Sequence, residues 1–445
     1  MEFQYKNVLI WGYGISGRSV EKVLIDLGVD YTVLDEGNKV TGGGFIGKLT
    51  KKIISRFDLI VLSPGINYHR KEIEWANKLG IDVVSEIEFG YMFLNPKSKV
   101  IAVSGTNGKT TTVNLIYNLL KTAGKKVCEV GNIGKPFSEI YKKNYDYVVL
   151  ELSSFQLEEL KHFRADISIL LNIAPDHIDR HGSYENYIKS KLNIFKNQQK
   201  NDYAIINEDD EIIRNCKGIN TKKITYSLQS NKYKYWLNNG CIYKNKKPLL
   251  DLNEFNISPV FYQDVMCTFI VSEILDFEVV YIRNMLSNYM FLSHRCEFVT
   301  KSNNIEYYND SKATNIHAVQ HCLKCMPNGK SVLLLLGGLN KDLDFKDFVA
   351  NMPDSVVRVV AFGKARRKIY KAKKYNKNIY FATEKSLHNV MANIDDYLDG
   401  IDIVLLSPAC ASFDEFKSYE DRGDYFKKEV LLKRDRDEKA KVKEG

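Results

Sequence analysis

Short, wholly apolar runs recur along the chain, separated by amphipathic stretches. Val8 to Trp11, Tyr31 to Leu34 and Leu59 to Leu62 come first. Val100 to Val103, Tyr147 to Leu150 and Ile167 to Asn172 follow, and Val332 to Leu336, Val356 to Phe362 and Ile403 to Leu406 close the series. Strands that do not alternate polar and apolar positions are buried on both faces, as in a parallel sheet flanked by helices. The pattern therefore predicts an α/β protein built on parallel sheets. A break at Asn95-Pro96-Lys97-Ser98, and a change of character near Ser293, divide the chain into residues 1–95, 96–292 and 293–445. Between Tyr203 and Pro259 the sequence turns polar and strand-rich, with a turn at Asn238-Asn239-Gly240. The charged tail from Lys433 to Gly445 is expected to fray.

Composition narrows the setting. The chain has 445 residues, 44% of them hydrophobic, enough for several cores. No apolar run is long enough to span a bilayer, and Met1 to Lys6 lacks the features of a signal peptide. The eight cysteines show no disulfide-like spacing, which suits a reducing cytoplasm. Net charge is +9, with acids and bases read as interleaved. No basic tract with interleaved aromatics stands out, so nucleic acid is not expected as a partner and small anionic substrates are.

Candidate chemistry collects where strands end. Gly105, Thr106, Asn107, Gly108, Lys109, Thr110 and Thr111 lie between an apolar run and a helical one. This is a shortened P-loop, because Val103 stands where the strict pattern has its first glycine. Its amides suit a phosphate, with Lys109 reaching the outer phosphates and Thr110 a Mg²⁺ ion. Gly12-Tyr13-Gly14-Ile15-Ser16-Gly17, with Asp35 after the second strand, fits a dinucleotide fingerprint. Together with Ser63, Pro64 and Gly65 it points to a diphosphate-linked ligand, although helix–strand packing alone also explains such glycines. Glu151 directly follows a strand and can hold Mg²⁺ directly or through water. Glu158 and Glu159 are expected to be solvated acids. Asp176-His177 suggests a second metal site, while His181 is expected to be structural. Tyr187 to Lys191 reads as helix, with the lysines on a solvated face. In the third block, His294-Arg295 can neutralise phosphoryl charge and Asp310 can accept from a ribose hydroxyl. Lys312 and Lys341 offer further cations. His317, His321, Cys322 and Cys325 make a zinc site conceivable, but a plain helix is the expectation.

In order, Gly105 to Thr111, Glu151-Leu152-Ser153-Ser154, Asp176-His177, Lys191, His294-Arg295 and Asp310 to Asn315 resemble the Mur ligases, ATP-dependent amide-forming enzymes of peptidoglycan synthesis. Leu405 to Gly423, including Ser407-Pro408-Ala409-Cys410-Ala411-Ser412-Phe413, is similar to the signature of the D-glutamate-adding members. The resemblance implies an N-terminal Rossmann-like UDP-binding domain, a central P-loop ATPase domain and a C-terminal Rossmann-like ligand-binding domain. It implies ATP, two Mg²⁺ ions and a CO₂-derived carbamate on Lys191, which would invert the solvated reading of that lysine. The implied substrates are UDP-N-acetylmuramoyl-L-alanine and D-glutamate, used by a cytoplasmic monomer that does not insert into membranes. By the same resemblance, Ile15, Ser16, Asp35, Ser63 to Gly65, Asn132 and His177 would hold the UDP substrate, and Arg295 and Asp310 would contact ATP. Lys312, Thr314, Lys341, Ser412, Phe413 and Tyr419 would position D-glutamate, with Lys109, Glu151, His177, Lys191 and Lys312 at the chemistry. The metal ligands would be Thr110, Glu151, His177 and Lys191.

One stretch departs from the pattern. These ligases carry a His-Asn pair and a further Asn that help place adenine, whereas this chain has Ser258-Pro259-Val260-Phe261-Tyr262-Gln263-Asp264. Asp264 can accept from the adenine amino group but cannot donate as Asn does. Three other readings compete, one of them a nucleotide-regulated binding protein without catalysis, which would make the Glu151, His177 and Asp310 clusters accidental. A folylpolyglutamate synthetase shares the P-loop variant but lacks the N-terminal block, and a nicotinamide oxidoreductase leaves Lys109, Glu151 and Asp310 idle.

Overall fold

The structure, a computed structural model, describes residues 3–37, 44–45, 49–255, 257–290, 293–327, 329–339 and 343–444. Each expected apolar run forms a strand, and the strands assemble into three sheets. The first contains β1 (Asn7–Trp11), β2 (Asp30–Leu34), β3 (Gly44–Phe45), β4 (Leu59–Leu62) and β5 (Asp82–Ser85), all parallel, in the order β3-β2-β1-β4-β5. Alternate residues of β1 serve two different cores. Leu9 and Trp11 pack with Ile60 and Leu62 on one face, and Val8 and Ile10 pack with Val61 and Val20 on the other. Burial on both faces is why no polar residue alternates in these runs.

The second sheet holds β6 (Lys99–Ser104), β7 (Val127–Gly131), β8 (Tyr147–Glu151), β9 (Ile167–Leu170), β10 (Tyr203–Asn207), β11 (Lys222–Ser227), β12 (Tyr235–Asn238), β13 (Cys241–Lys244) and β14 (Lys247–Asp251). Its order is β14-β13-β12-β11-β10-β9-β6-β8-β7, parallel up to β12 and finished by two antiparallel strands. The predicted turn joins β12 to β13, with Asn239 and Gly240 both at positive φ (45° and 77°), as a two-residue hairpin loop requires.

The third sheet, β15 (Glu297–Ser302), β16 (Ile305–Asn309), β17 (Val332–Gly337), β18 (Val356–Phe362), β19 (Tyr380–Thr383) and β20 (Ile403–Ala409), is ordered β15-β16-β20-β17-β18-β19. Only β15 runs antiparallel to its neighbour. Leu333, Leu335, Val404 and Leu406 bury one face against Phe426 and Val430 of the last helix, Tyr419–Glu444. That helix runs through Lys433 to Glu444, where the sequence suggested fraying.

The chain forms two compact units, Met1–Asn256 with Tyr262–Tyr289, and Ile257–Phe261 with Met290–Gly445. The first two sheets share one unit, and the helix Glu86–Tyr91 fastens them together. Its buried Glu88 carboxylate accepts the main-chain N–H groups of Lys161, His162 and Phe163 at 2.7–3.0 Å. Its buried Glu86 accepts from the Ser138 amide at 2.6 Å, and desolvation raises its carboxyl pKa to about 6.

Candidate active site

The first sheet reverses its strand order beside β1, and ligands of such sheets collect there. Gly12 follows β1 at φ +93°, and a Cβ on it would lie 2.7 Å from the Ser63 Cβ, so only glycine fits. Ser63 Oγ donates to Gly12 O at 2.8 Å. Asp35 accepts the Tyr13 and Gly37 amides at 2.6 and 2.9 Å, which holds the glycine turn open at the start of the helix Ile15–Leu27. No side chain caps that helix start, while Ile15 is exposed and Ser16 half-buried beside it. Pro64 and Gly65 lie in the turn closed by the Ile66 amide on Ser63 O. The expected UDP group thus shares one turn cluster, except Asn132 and His177, which lie in the segments after β7 and β9 of the second sheet.

There, the loop after β6 is built from glycines at positive φ, Gly105 (+156°) and Gly108 (+91°). Asn172 braces it reciprocally: its Oδ1 accepts the Asn107 amide at 2.9 Å, and its Nδ2 donates to Asn107 O at 3.1 Å. Thr106 Oγ1 pairs with the Tyr187 hydroxyl at 2.8 Å and accepts the Ala174 amide. The helix Lys109–Thr122 starts without a side-chain cap, leaving first-turn amides for an anion. Lys109 Nζ curls back onto Gly105 O and Thr106 O at 2.8 and 3.0 Å. Thr110 is half-buried at the helix start, and Thr111 Oγ1 is buried with no hydrogen-bond partner among the described residues.

Around this loop stand the residues expected to serve a metal. Glu151 ends β8, is 2% exposed, and its Oε1 accepts from Asn132 Nδ2 at 2.9 Å. Lys191 overturns its solvated reading: it is 2% exposed, with Nζ 2.7 Å from Gly105 O and 3.3 Å from Ser104 Oγ. Desolvation, then the nearby Lys109 charge, hold its ammonium well below the ordinary lysine range, and Asp176 and Glu151 oppose them. His177 sits at φ +51° before the short helix Ile178–His181, its ring 5.0 Å from that of Phe155. His181 is buried and hydrogen-bonded to Ser154 Oγ at 3.0 Å, a structural role as expected. Glu158 is not solvated: its side chain is only 7% exposed, burial raises its pKa, and it lies 3.6 Å from Arg180. Asp264 is 3% exposed, and its Oδ1 accepts from Thr112 Oγ1 at 2.5 Å, bracing the helix Lys109–Thr122.

In the other unit, strand ends carry the remaining candidates. Asp310 follows β16 fully buried, accepting from Ser407 Oγ at 2.6 Å and the Cys296 amide at 3.1 Å. Burial raises its carboxyl pKa to about 6, although the Arg295 charge opposes the shift. Arg295 Nε is buried with no hydrogen-bond partner among the described residues, so the guanidinium has unused donor capacity. Lys312 lies over the Tyr419 ring, 5.5 Å from its centre, and Tyr419 O accepts from Ser311 Oγ at 2.8 Å. Thr314 is half-buried, Ser412 is 2% exposed and Phe413 is 67% exposed. Lys341 lies outside the described residues. His317 and His321 sit on the helix Ile316–Lys324, and among the described residues no group of three or more His, Cys, Asp or Glu side chains is gathered to hold a metal.

Three domain models match in sequence: the Mur ligase MurD-like N-terminal domain over residues 6–85, the Mur ligase middle domain over 103–258 and the Mur ligase glutamate ligase domain over 294–410. A UDP-N-acetylmuramoylalanine–D-glutamate ligase from Lachnoclostridium phytofermentans is 34% identical over 459 residues, covering 98% of this chain and 100% of that protein. One of the same name from Caldanaerobacter subterraneus subsp. tengcongensis is 32% identical, covering 97% and 99%. This chain belongs to the Mur ligase family. Solved structures share its fold. MurF ligase from Thermotoga maritima, in complex with ADP, has a TM-score of 0.60 at 16% identity, covering 97% of this chain and 96% of that one. A pseudomurein peptide ligase type C from Methanothermus fervidus has 0.58 at 17%, covering 90% and 96%.

Three side chains of this Mur ligase escaped the sequence reading. Arg180 donates to Ile66 O at 2.9 Å while facing Glu158, so it ties the Ser63–Ile66 turn to the segment behind His177. Tyr187 holds Thr106 from below. Arg422 is fully buried and donates Nε to Ser311 Oγ, NH2 to Ser311 O and NH1 to Cys410 O at 2.8–3.1 Å. Its signal was a lone arginine inside the Leu405 to Gly423 signature, indistinguishable there from a helix-start surface charge.

Proposed function

We propose that this Mur ligase joins D-glutamate to UDP-N-acetylmuramoyl-L-alanine at the cost of ATP. The reading is supported first by relatives of that name, more than 30% identical and aligned along nearly the whole chain. A carboxylate does not acylate an amine at neutral pH. The L-alanine carboxylate would attack the ATP γ-phosphorus, giving an acyl phosphate and ADP. The deprotonated D-glutamate amine would then attack the acyl carbon, and phosphate would leave as the amide forms.

The side chains divide this work between them. The Gly105–Thr111 loop and Lys109 would hold the ATP phosphates, which the uncapped helix start and the unpartnered Thr111 hydroxyl suit. Arg295 and Asp310 would contact ATP, and Arg295 Nε retains a donor for it. Asp35, Ile15, Ser16, Ser63 to Gly65, Asn132 and His177 would bind the UDP-linked substrate. Lys312, Thr314, Lys341, Ser412, Phe413 and Tyr419 would bind D-glutamate.

Two Mg²⁺ ions would neutralise the meeting anions, held by Thr110 and Glu151 and by His177 and a carbamylated Lys191. The donor set fits hard cations, since carboxylate, hydroxyl and carbamate oxygens predominate. Lys191 is suited to modification because its burial favours the neutral amine, the form that adds CO₂ and releases a proton. The resulting anion would pair with Lys109. We place the reaction in the cytoplasm, where ATP is available, in a monomer divided at residues 1–95, 96–292 and 293–445.

Phosphate release from ATP with UDP-N-acetylmuramoyl-L-alanine tests this, comparing D-glutamate, L-glutamate, L-lysine and no amino acid. Release that requires D-glutamate is expected, and release indifferent to the amino acid would refute it. Lys191→Ala is expected to be nearly inactive, and a ¹³CO₂-labelled carbamate resonance should appear in the parent and vanish in the variant.

A further inference from the structure

The expectation of interleaved charge fails at one place. Residues 364–377 hold eight lysines and arginines and no acid, so of the chain's +9 charge only +1 is left for all remaining residues. Tyr370 and Tyr375 fall inside this tract, so it is also the basic, aromatic-containing segment that was not anticipated. It forms the helix Arg366–Ala372 and the turn Lys373–Tyr375, between β18 and the edge strand β19.

Ala365, Ile369 and Ala372 bury the inner side of this segment. Arg367, Lys371 and Lys374, spaced i, i+4, i+7, therefore point outward together. Every cation of the tract except Arg366 is exposed, and among the described residues none of the eight forms an ion pair. Arg366 donates to Gly363 O, and Lys373 lies 4.0 Å over the Tyr370 ring. Asp344 feels Lys368 only weakly, after its stronger interaction with Lys346. Tyr375 and Tyr380 are 41% and 58% exposed beside the cations. Like charges stacked along one face repel, and the tract itself supplies no acid to relieve them, while the Asp414 carboxylate meets it at the Lys364 amide.

We propose that this face adsorbs to an anionic lipid surface. Six of the eight cations are lysines, compact charges on flexible stems suited to diffuse headgroup charge, whereas Arg is the usual choice for forked contacts to individual phosphates. The cations lie on the outward side of a helix, whereas single-stranded nucleic acid is bound in grooves with stacking platforms. The exposed tyrosines suit the headgroup level. With its apolar side buried in its own domain, the helix adsorbs by charge and does not insert. The inference is independent of which amide the enzyme forms.

The test uses the full chain in flotation with vesicles of phosphatidylglycerol and phosphatidylcholine, against phosphatidylcholine alone. Binding to the anionic vesicles only is expected, weakening steeply as salt shortens the screening length. The quadruple change Arg367→Gln, Lys371→Gln, Lys374→Gln, Lys377→Gln should weaken it ~tenfold or more while phosphate release stays unchanged. Should that variant misfold, the pair Lys371→Gln, Lys374→Gln and the salt titration of the parent carry the same question. No binding to anionic vesicles at low salt, salt-insensitive binding, or equal binding by folded variants would overturn the proposal. So would displacement of the vesicles by equimolar-charge RNA that binds more tightly.

Discussion

Arg422 offers the sharpest stability test. Its guanidinium is fully buried, burial pushes its pKa down to about 10, and it remains a cation at neutral pH. Its hydrogen-bond acceptors are a hydroxyl and two carbonyls, so it stitches the Ser311 turn to Cys410 by geometry rather than by pairing charge. Arg422→Met keeps most of the stem and strands both carbonyls, at roughly 1–3 kcal/mol each. Relief from burying a cation offsets part of this, leaving a net loss of about 2–4 kcal/mol. Arg422→Lys retains the charge but cannot fork to three acceptors, so it should lose about 2 kcal/mol. The assay has a built-in control, because all three tryptophans, Trp11, Trp75 and Trp236, lie in the other compact unit. Hydrogen exchange of the Leu405 and Leu406 amides in β20 should quicken, while the tryptophan-detected urea midpoint barely moves. Since Ser311 separates Asp310 from Lys312, KM for ATP and D-glutamate should also rise. Unchanged exchange in β20, or an equal loss at the tryptophans, would refute the reasoning.

Three further outcomes are expected. Glu86, with a folded pKa near 6 against an ordinary 4.5, favours folding below pH 4.5 and loses that advantage as pH rises through 6, about 2 kcal/mol in all. Glu86→Gln should therefore flatten the dependence of the urea midpoint between pH 4.5 and 7, and an unchanged slope would assign that slope to other groups. Thr112→Val and Asp264→Asn should couple by ~1 kcal/mol in a double-mutant cycle of stability, and strict additivity would deny that Asp264 braces the P-loop helix. Arg180→Met should raise KM for the UDP-linked substrate roughly tenfold, the worth of one charged hydrogen bond, with KM for ATP little changed. An equal rise in both would make Arg180 a general stabiliser of the unit.

The sheets were legible because their strands are buried on both faces, so that Leu59 to Leu62 or Val356 to Phe362 shows as an unbroken apolar run. The glycine loop after β6 was legible because Gly105 and Gly108 occupy conformations that other residues rarely adopt. Lys191 and Glu158 were not, because a helix sequence does not state what packs across it. Lys191 points beneath the loop after β6, and Glu158 meets Arg180, a residue distant in sequence. Arg180 and Arg422 were silent for the same reason, since Ile66 O, Ser311 O and Cys410 O are main-chain carbonyls, which carry no side-chain signature. The tract at 364–377 was visible as composition, but its meaning required knowing which side of the helix is covered.

The helix Glu86–Tyr91 bears on how such a protein can be taken apart or recombined. The sequence invites a cut at Asn95 to Ser98, yet the carboxylates just before that cut find their amides beyond it, at Ser138 and Lys161 to Phe163. An isolated fragment 1–95 would face solvent with two acids shaped for absent partners, and the remainder would expose the matching main chain. A chimera that borrows the N-terminal block from another ligase inherits this lock without its key unless both segments travel together. Gene fusion or exchange at that linker would thus be filtered by two glutamates, whatever the ligand specificity of the imported block.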